Sequence, residues 1–329
     1  MSKRETPSHK TTVGGQALIE GIMMRGVSTG AMAVRKKDGE IDVEQWELPP
    51  RKWYQKCPFV RGIFNFVLQL KDGMTYMNKS MEKSGYLDEE DEEPSKFEKW
   101  LGEKFGKSLT AVVSVIGGIL GVGLALVLFL FVPTWIFTGI QTLAGTDISP
   151  FRSLFEGILK IIIYMVYLWL TSLLKDIRRT YEYHGAEHKT IATYEAGEEL
   201  KVENVRRHTR FHPRCGTSFI FLVLAISILV YSVVPINSEL FIEWLGVTQF
   251  VADLLRVVCK LILLPFVVGI GYEIIRLAGR YDNIITRIIS APGMAMQRLT
   301  TREPDDSQIE CAIAAITPVL PKEGEDDKW

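Results

Sequence analysis

From Leu109 to Ile140 the chain carries no charged side chain, and this block is longer than the roughly 20 residues an α-helix needs to cross a bilayer core. Length alone separates such a block from an ordinary core helix, so it sets the fold class. Three further apolar blocks follow. One, from about Leu154 to Leu174, has only Glu156 and Lys160 near its start; another, Phe219 to Val234, is short and uncharged. The last, from about Val251 to Leu277, carries Arg256 and Lys260 early and Glu273 late. The expectation is a mainly α, multi-pass α-helical membrane protein with about four spans. Arg256 and Lys260, one helical turn apart, are expected to snorkel to the outer surface rather than face the bundle and Glu156.

Orientation follows from Lys and Arg in the connections. Lys175 to Cys215 holds nine, whereas Gln141 to Phe151 and Ile236 to Val251 hold none. By the positive-inside rule both termini and the middle loop face the cytoplasm. Met1 to Thr12 is polar, unlike a signal peptide. A net charge of -1 gives no sign of a nucleic-acid partner. Cys57, Cys215, Cys259 and Cys311 are scattered over cytoplasmic and intramembrane positions, where thiols stay reduced.

Along the chain this divides into a cytoplasmic α+β N-terminal region (1–86), an acidic linker and interfacial helix (87–108), a four-span membrane domain (109–277) and a cytoplasmic C-terminal segment (278–329). The N-terminal region is expected to hold a β-hairpin: Ala31 to Lys36 and Glu40 to Leu48 flank the turn Lys37-Asp38-Gly39. Gly14-Gly15 and Gly21 to Gly26 permit unusual backbone angles. They lack the Lys-Ser or Lys-Thr of a phosphate loop. Val60 to Leu70 is too short to cross and reads as a core or interfacial helix. Asp88 to Glu93 reads as a solvated linker, and Phe97, Trp100, Leu101 and Phe105 recur among lysines as on an interfacial helix. Near the end, Ser307-Gln308-Ile309-Glu310 has capping-box spacing ahead of Ile309, Ile313 and Ile316, which would form the apolar face of a docking helix.

Four of the five histidines, His184, His188, His208 and His212, fall in the loop 175–218 with Cys215. His184-Gly185-Ala186-Glu187-His188 places two imidazoles one helical turn apart, where both can reach one ion. The order His-x-x-Glu-His is that of the inverted zinc peptidases, in which the glutamate is the general base. If His212 and Cys215 complete the set, the ion, a divalent metal of the zinc type, has four protein ligands and the site is structural. If one of Glu195, Glu198, Glu203 or a remote carboxylate such as Glu273 supplies the third ligand instead, a position stays open for catalysis. Cys215 as a nucleophile ranks below Cys215 as a ligand. The arginines of the same loop (Arg178, Arg179, Arg206, Arg207, Arg210 and Arg214) allow another reading, contact with anionic lipid headgroups.

Four segments carry a family resemblance: Gly14 to Gly26 (GGQALIEGIMMRG), His184 to Thr190 (HGAEHKT), His212 to Phe219 (HPRCGTSF) and Leu299 to Asp306 (LTTREPDD). In this order they resemble the YqhQ-like bacterial membrane proteins, domain of unknown function 1385. The resemblance implies a multi-pass protein of the bacterial cell membrane, labelled by prediction as a metal-dependent enzyme. It carries the predicted metal role to His184, Glu187, His188, His212 and Cys215. The leading expectation is therefore a cytoplasm-facing metallohydrolase with Glu187 catalytic and His184, His188, His212 and Cys215 as metal ligands. The competing one is a non-enzymatic adaptor or assembly factor that meets membrane lipids or a protein partner. Transport has weak support, because no paired broken helices occur.

Overall fold

A computed structural model describes residues 9–50, 52–86, 109–145, 147–234, 236–281 and 283–329. The expected linker and lysine-rich interfacial helix lie outside the described residues. The chain divides into two compact units. The first comprises residues 1–87, 165–226 and 265–329, and the second residues 88–164 and 227–264.

The first unit opens with a four-stranded antiparallel sheet in the order β1-β2-β3-β4: β1 Gly14–Leu18, β2 Gly21–Arg25, β3 Thr29–Arg35 and β4 Ile41–Glu47. The β3–β4 hairpin is the expected one, with Gly39 at φ 88 in its turn. The β1–β2 hairpin was not foreseen. Its tight turn places Glu20, a non-glycine residue, at φ 53, and the Glu20 carboxylate is gripped by Arg179 and the Tyr183 hydroxyl. None of the glycines between Gly14 and Gly26 has a positive φ, and Gly15, Gly21 and Gly26 serve close approach instead. A Cβ on Gly15 would lie 2.6 Å from the Met23 carbonyl oxygen, and one on Gly26 would collide with the carbonyl of Val319.

The sheet is covered on both faces. Ile22, Met24, Ala31 and Ala33 pack with Tyr183, Ala186 and Ile191 of one helix and with Cys311, Ala312, Ala315 and Ile316 of another. Leu18, Met23, Met32 and Val34 pack on the other side, with Trp46 and Tyr76 against them. Tyr76 belongs to α1, Val60–Ser84, which extends well beyond the apolar run seen in sequence.

The next helices are α2 Leu109–Leu126 and α3 Val132–Ala144, joined by a π-helical turn at Val127–Phe131, and α4 Arg152–Thr171. Then come α5 Lys175–Glu195, α6 Val202–Arg207, α7 Gly216–Val233, α8 Ser238–Leu245 and α9 Gln249–Arg280. The chain closes with α10 Ile284–Thr300 and α11 Asp306–Ile316. Among the described residues four stretches are long and apolar enough to cross a membrane: Ile116–Ala144, Ser149–Thr171, Gly216–Val233 and Gln249–Arg280. They coincide with the four blocks of the sequence.

The start of α11 differs from the expected one. Asp305, not Ser307, is the cap, accepting a hydrogen bond from the Gln308 backbone N–H at 2.9 Å while the Gln308 side chain answers at the Asp305 N–H. The capping box thus lies two residues earlier. Its buried face is Gln308, Ile309, Cys311, Ala312, Ala315 and Ile316, with Ile313 only partly covered.

In the second unit Arg256 and Lys260 do not snorkel. Both are buried and converge on Glu156: Arg256 donates to it at 2.6 and 3.0 Å, Lys260 at 2.7 Å, and Arg152 at 3.1 Å. Asp253 accepts from Arg152 at 3.4 Å and from Ser238 at 2.6 Å. In a low-dielectric interior a carboxylate that satisfies several cations at once removes the need for any of them to reach water.

Two stability changes follow. Gly26→Ala should cost about 1–3 kcal/mol in thermal unfolding of the detergent-solubilised protein, because the Val319 carbonyl must move; Gly14→Ala, with nothing within 4 Å of its Cβ, should be near neutral. Glu156→Ala leaves the buried Arg256 and Lys260 without their carboxylate and should cost roughly 3–5 kcal/mol in the same measurement.

Candidate metal centre

Helix α5 is the platform of the site. Its residues 183 and 185–191 are buried between the sheet and α11, so positions four apart on the helix are held on one packed face. His184 and His188 are two such positions, with ring centroids 4.4 Å apart. Gly185 between them has no room for a Cβ, which would strike the carbonyl oxygen of Arg302. That contact presses the segment 300–304 against the helix.

The segment so placed fixes the first ring. His184 Nδ1 donates to the carbonyl of Thr300 at 2.8 Å, and His188 Nδ1 donates to the carbonyl of Arg210 at 2.6 Å. A carbonyl can only accept, so each Nδ1 carries the hydrogen and each Nε2 is left to bind. Such outer hydrogen bonds are the usual means by which proteins orient metal-binding imidazoles. His184 Nε2 lies 3.2 Å from Cys215 Sγ. The sulfur sits at the mouth of α7, one residue before its first turn, where unpaired backbone N–H groups favour a thiolate.

One ligand atom from each of His184, His188 and Cys215 lies within 4.8 Å of the others, the one such cluster among the described residues. Donors at roughly 2.0–2.3 Å from a tetrahedral zinc ion lie about 3.3–3.7 Å from one another, so the cluster needs little contraction to hold one. Two imidazole nitrogens and a thiolate are also the donors that zinc prefers.

The charges agree with this arrangement. Burial disfavours charge on Cys215, but His184 and His188 beside it prevail and hold the thiol well below its ordinary pKa. Burial likewise works against a charged His184, yet the facing Cys215 raises it to about 9. Both directions favour a proton on His184 and its removal from Cys215. Glu187, also buried, is raised by desolvation against the pull of both histidines, and takes a hydrogen bond from the Gly15 backbone.

The other candidates sit elsewhere. The His212 Nε2 accepts from Arg214 at 3.2 Å and lies 3.7 Å from Glu195 Oε2, while its ring is 5.5 Å from that of His188. Its backbone is pinned on both sides by Gln297, at 2.8 and 2.7 Å. Burial, then Arg214, depresses His212 to about 4, so it stays neutral. Glu195 is engaged by Arg214 and by the Thr11 backbone. Its carboxyl lies below the ordinary range because His212 and Arg214 outweigh its burial. Glu198 faces His208 at 3.4 Å, and Glu273 is bound by Arg61. Five of the six loop arginines have carboxylate partners: Arg178 with Glu182, Arg179 with Glu20, Arg206 with Asp306, Arg210 with Glu303 and Arg214 with Glu195.

Sequence reasoning missed the groups that hold the site rather than those that would bind: the carbonyls of Thr300 and Arg210 and the N–H of Gly15. Backbone groups leave no residue signal. Gly185, wedged inside the histidine motif, was the one visible clue.

The family described as proteins of unknown function, DUF1385, matches residues 57–322. Over 324 residues the chain is 32% identical to the uncharacterized protein YqhQ of Bacillus subtilis (strain 168), covering 97% of this chain and 95% of the relative. No solved structure matches it. The match over most of its length means that the chain belongs to the DUF1385 family.

Proposed function

We propose that this is a four-span membrane protein with both termini and the α5–α7 region on the cytoplasmic side, and that it is a metal-dependent hydrolase. His184, His188 and Cys215 would hold a divalent ion of the zinc type. The observation that carries the reading is the pair of Nδ1 hydrogen bonds to the Thr300 and Arg210 carbonyls, which turn both Nε2 atoms to one thiolate. Three protein ligands are the number that catalytic zinc sites use, the fourth position being left for water or substrate.

With such an ion present the site gains a Lewis acid. The chain's own part falls to two groups. Cys215 enters as a thiolate, and Glu187, whose burial raises its pKa, holds and releases a proton at its carboxyl. The reaction class this suits is hydrolysis of an amide or ester near the membrane surface. His212, neutral and committed to Arg214, stays outside the ligand set.

A structural centre in an adaptor protein is the second reading. It is favoured by the tight packing: the two most pronounced hollows, beside Pro213 and Gly293 and beside Glu20 and Asp176, have room for about one water each and are lined by none of the four site residues.

Metal analysis of the purified protein by mass spectrometry is expected to find about one ion per chain, lost in His184→Ala, His188→Ala and Cys215→Ala and kept in His212→Ala. No ion in wild type prepared without chelator sinks the metal centre. Glu187→Gln should keep the ion while hydrolysis of amide and ester substrates falls roughly 100- to 10,000-fold. Unchanged hydrolysis removes Glu187 from the reaction, and an ion that resists exchange together with no hydrolysis favours the adaptor.

A further inference from the structure

Helix α1 buries the wrong residues for a helix of a soluble protein. Its fully covered positions are Gly62, Gly73, Ser80 and Ser84, while Val60, Phe64, Val67, Leu70 and Met74 are exposed, Val67 at 57% and Met74 at 62%. Val60, Phe64, Val67 and Met74 stand at i, i+4, i+7 and i+14, along one stripe of the helix. Followed toward the C-terminus the same stripe changes character: Lys71 is its first charge, and Thr75, Asn78 and Glu82 continue it in polar residues.

The packing of α1 changes at the same place. Its first turns lie on two of the membrane-length helices: a Cβ on Gly62 would lie 2.5 Å from Tyr272, Asn65 donates to the Tyr272 hydroxyl at 3.0 Å, and the Phe66 ring is 5.9 Å from that of Phe219. Arg61 holds Glu273 by a two-pronged ion pair, and the Phe59 N–H donates to the same carboxylate at 3.0 Å. Beyond Lys71 the partner is the sheet: Gly73 meets Gln16, Tyr76 stacks on Trp46, and Lys79 and Lys83 pair with Glu44 and Asp42.

We infer that the first three turns of α1, from Val60 to Leu70, form a lipid-embedded interfacial helix, with Phe64 and Val67 in the boundary between headgroups and acyl chains and Lys71 marking its exit into water. Resting on the proposal that α7 and α9 span a bilayer, it names lipid as what covers this face. The coincidence carries it: the exposed stripe is apolar where α1 is clasped to helices of membrane length, and beyond Lys71, where it is clasped to the sheet, it is polar apart from Met74. An exposed face at the level of a spanning helix's last turns meets lipid, and a basic residue at the polar limit of the stripe meets headgroups. Arg61 and Glu273 neutralise each other on the inner face, so neither charge opposes insertion.

The test is thiol labelling in opened membranes with a charged maleimide that reaches both faces, read on the individual peptides by mass spectrometry. Phe64→Cys, Val67→Cys, Asn78→Cys and Glu82→Cys are compared, with Phe266→Cys, exposed in the middle of α9, as the lipid reference. The expected result is that Phe64→Cys and Val67→Cys react roughly tenfold or more slowly than Asn78→Cys and Glu82→Cys, as Phe266→Cys does, and all react alike after detergent solubilisation and unfolding. If Phe64→Cys and Val67→Cys react as fast as Asn78→Cys while Phe266→Cys stays protected, the chain spans the membrane and the inference about α1 is overturned. If Phe266→Cys also reacts fast, the spanning arrangement falls and this inference falls with it.

Discussion

Two hydrogen bonds to backbone carbonyls, from His184 to Thr300 and from His188 to Arg210, decide what the rest of the first unit must do. A histidine whose Nδ1 points at a side chain can change tautomer with its partner; one whose Nδ1 points at a carbonyl cannot. To bring those carbonyls to α5, the chain after α10 must run against Gly185, and the loop after α6 must cross above His188. The remaining fixtures serve these two approaches. Glu303 binds Lys189 and Arg210, Asp306 binds Arg206, and Gln297 clasps both sides of the His212 backbone. The first hairpin closes the arrangement from the other side, with Gly15 reaching Glu187 and Glu20 reaching Arg179. Thus the four segments that carry the family resemblance, distant in sequence, all terminate on one short stretch of one helix.

The two buried charge clusters answer the cost of desolvation in different ways. Around Glu156 the partners are fixed side-chain charges: Glu156 engages Arg152, Arg256 and Lys260, and Arg152 is shared with Asp253 and Glu239. Around Cys215 the match depends on a proton. Charge on Cys215 is favoured by the facing His184 and charge on His184 by Cys215, a balance that a cation held between them would take over. The first cluster is what a structural staple needs, and the second is what an exchangeable centre needs. The difference lies in the softness of the donors and in their convergence, since a sulfur and two ring nitrogens within 4.8 Å face one another with no permanent positive side chain between them.

Much of this was legible in the sequence, and the unread part has a common cause. The four membrane-length helices could be read because an uncharged stretch of that length has few other uses. The β3–β4 hairpin could be read because its turn carries Gly39 and one of its strands faces solvent, so β4 keeps a two-residue alternation. The β1–β2 hairpin could not: β2 is buried on both faces, which erases the alternation, and its turn uses Glu20 at positive φ in place of glycine. Snorkelling of Arg256 and Lys260 was the wrong expectation because Glu156 is 100 and 104 positions away, and only the fold brings the three together. In the site, spacing found His184, Glu187 and His188 on α5, but it could not tell that Cys215 would turn toward them and His212 toward Glu195 and Arg214.

That division between Cys215 and His212 bears on the reaction. For His212 to enter the ligand set, its Nε2 would have to leave Arg214, whose guanidinium is paired with the buried Glu195; moving the ring would take an acceptor away from that buried pair. The Gln297 clasp opposes any compensating shift of the backbone. In the proposed centre the ligands are therefore His184, His188 and Cys215, and the fourth side of an ion held there would be left to whatever enters. Glu187, on the helix turn between the two histidines, is the carboxylate nearest in sequence to that opening and has no cation bound to it. A buried carboxyl with a raised pKa and no salt-bridge partner gains little for folding, since its charge is opposed by desolvation and satisfied only by the Gly15 N–H. The proposed role, a proton taken up and released at that carboxyl, gives it a use that its contacts in the resting protein do not.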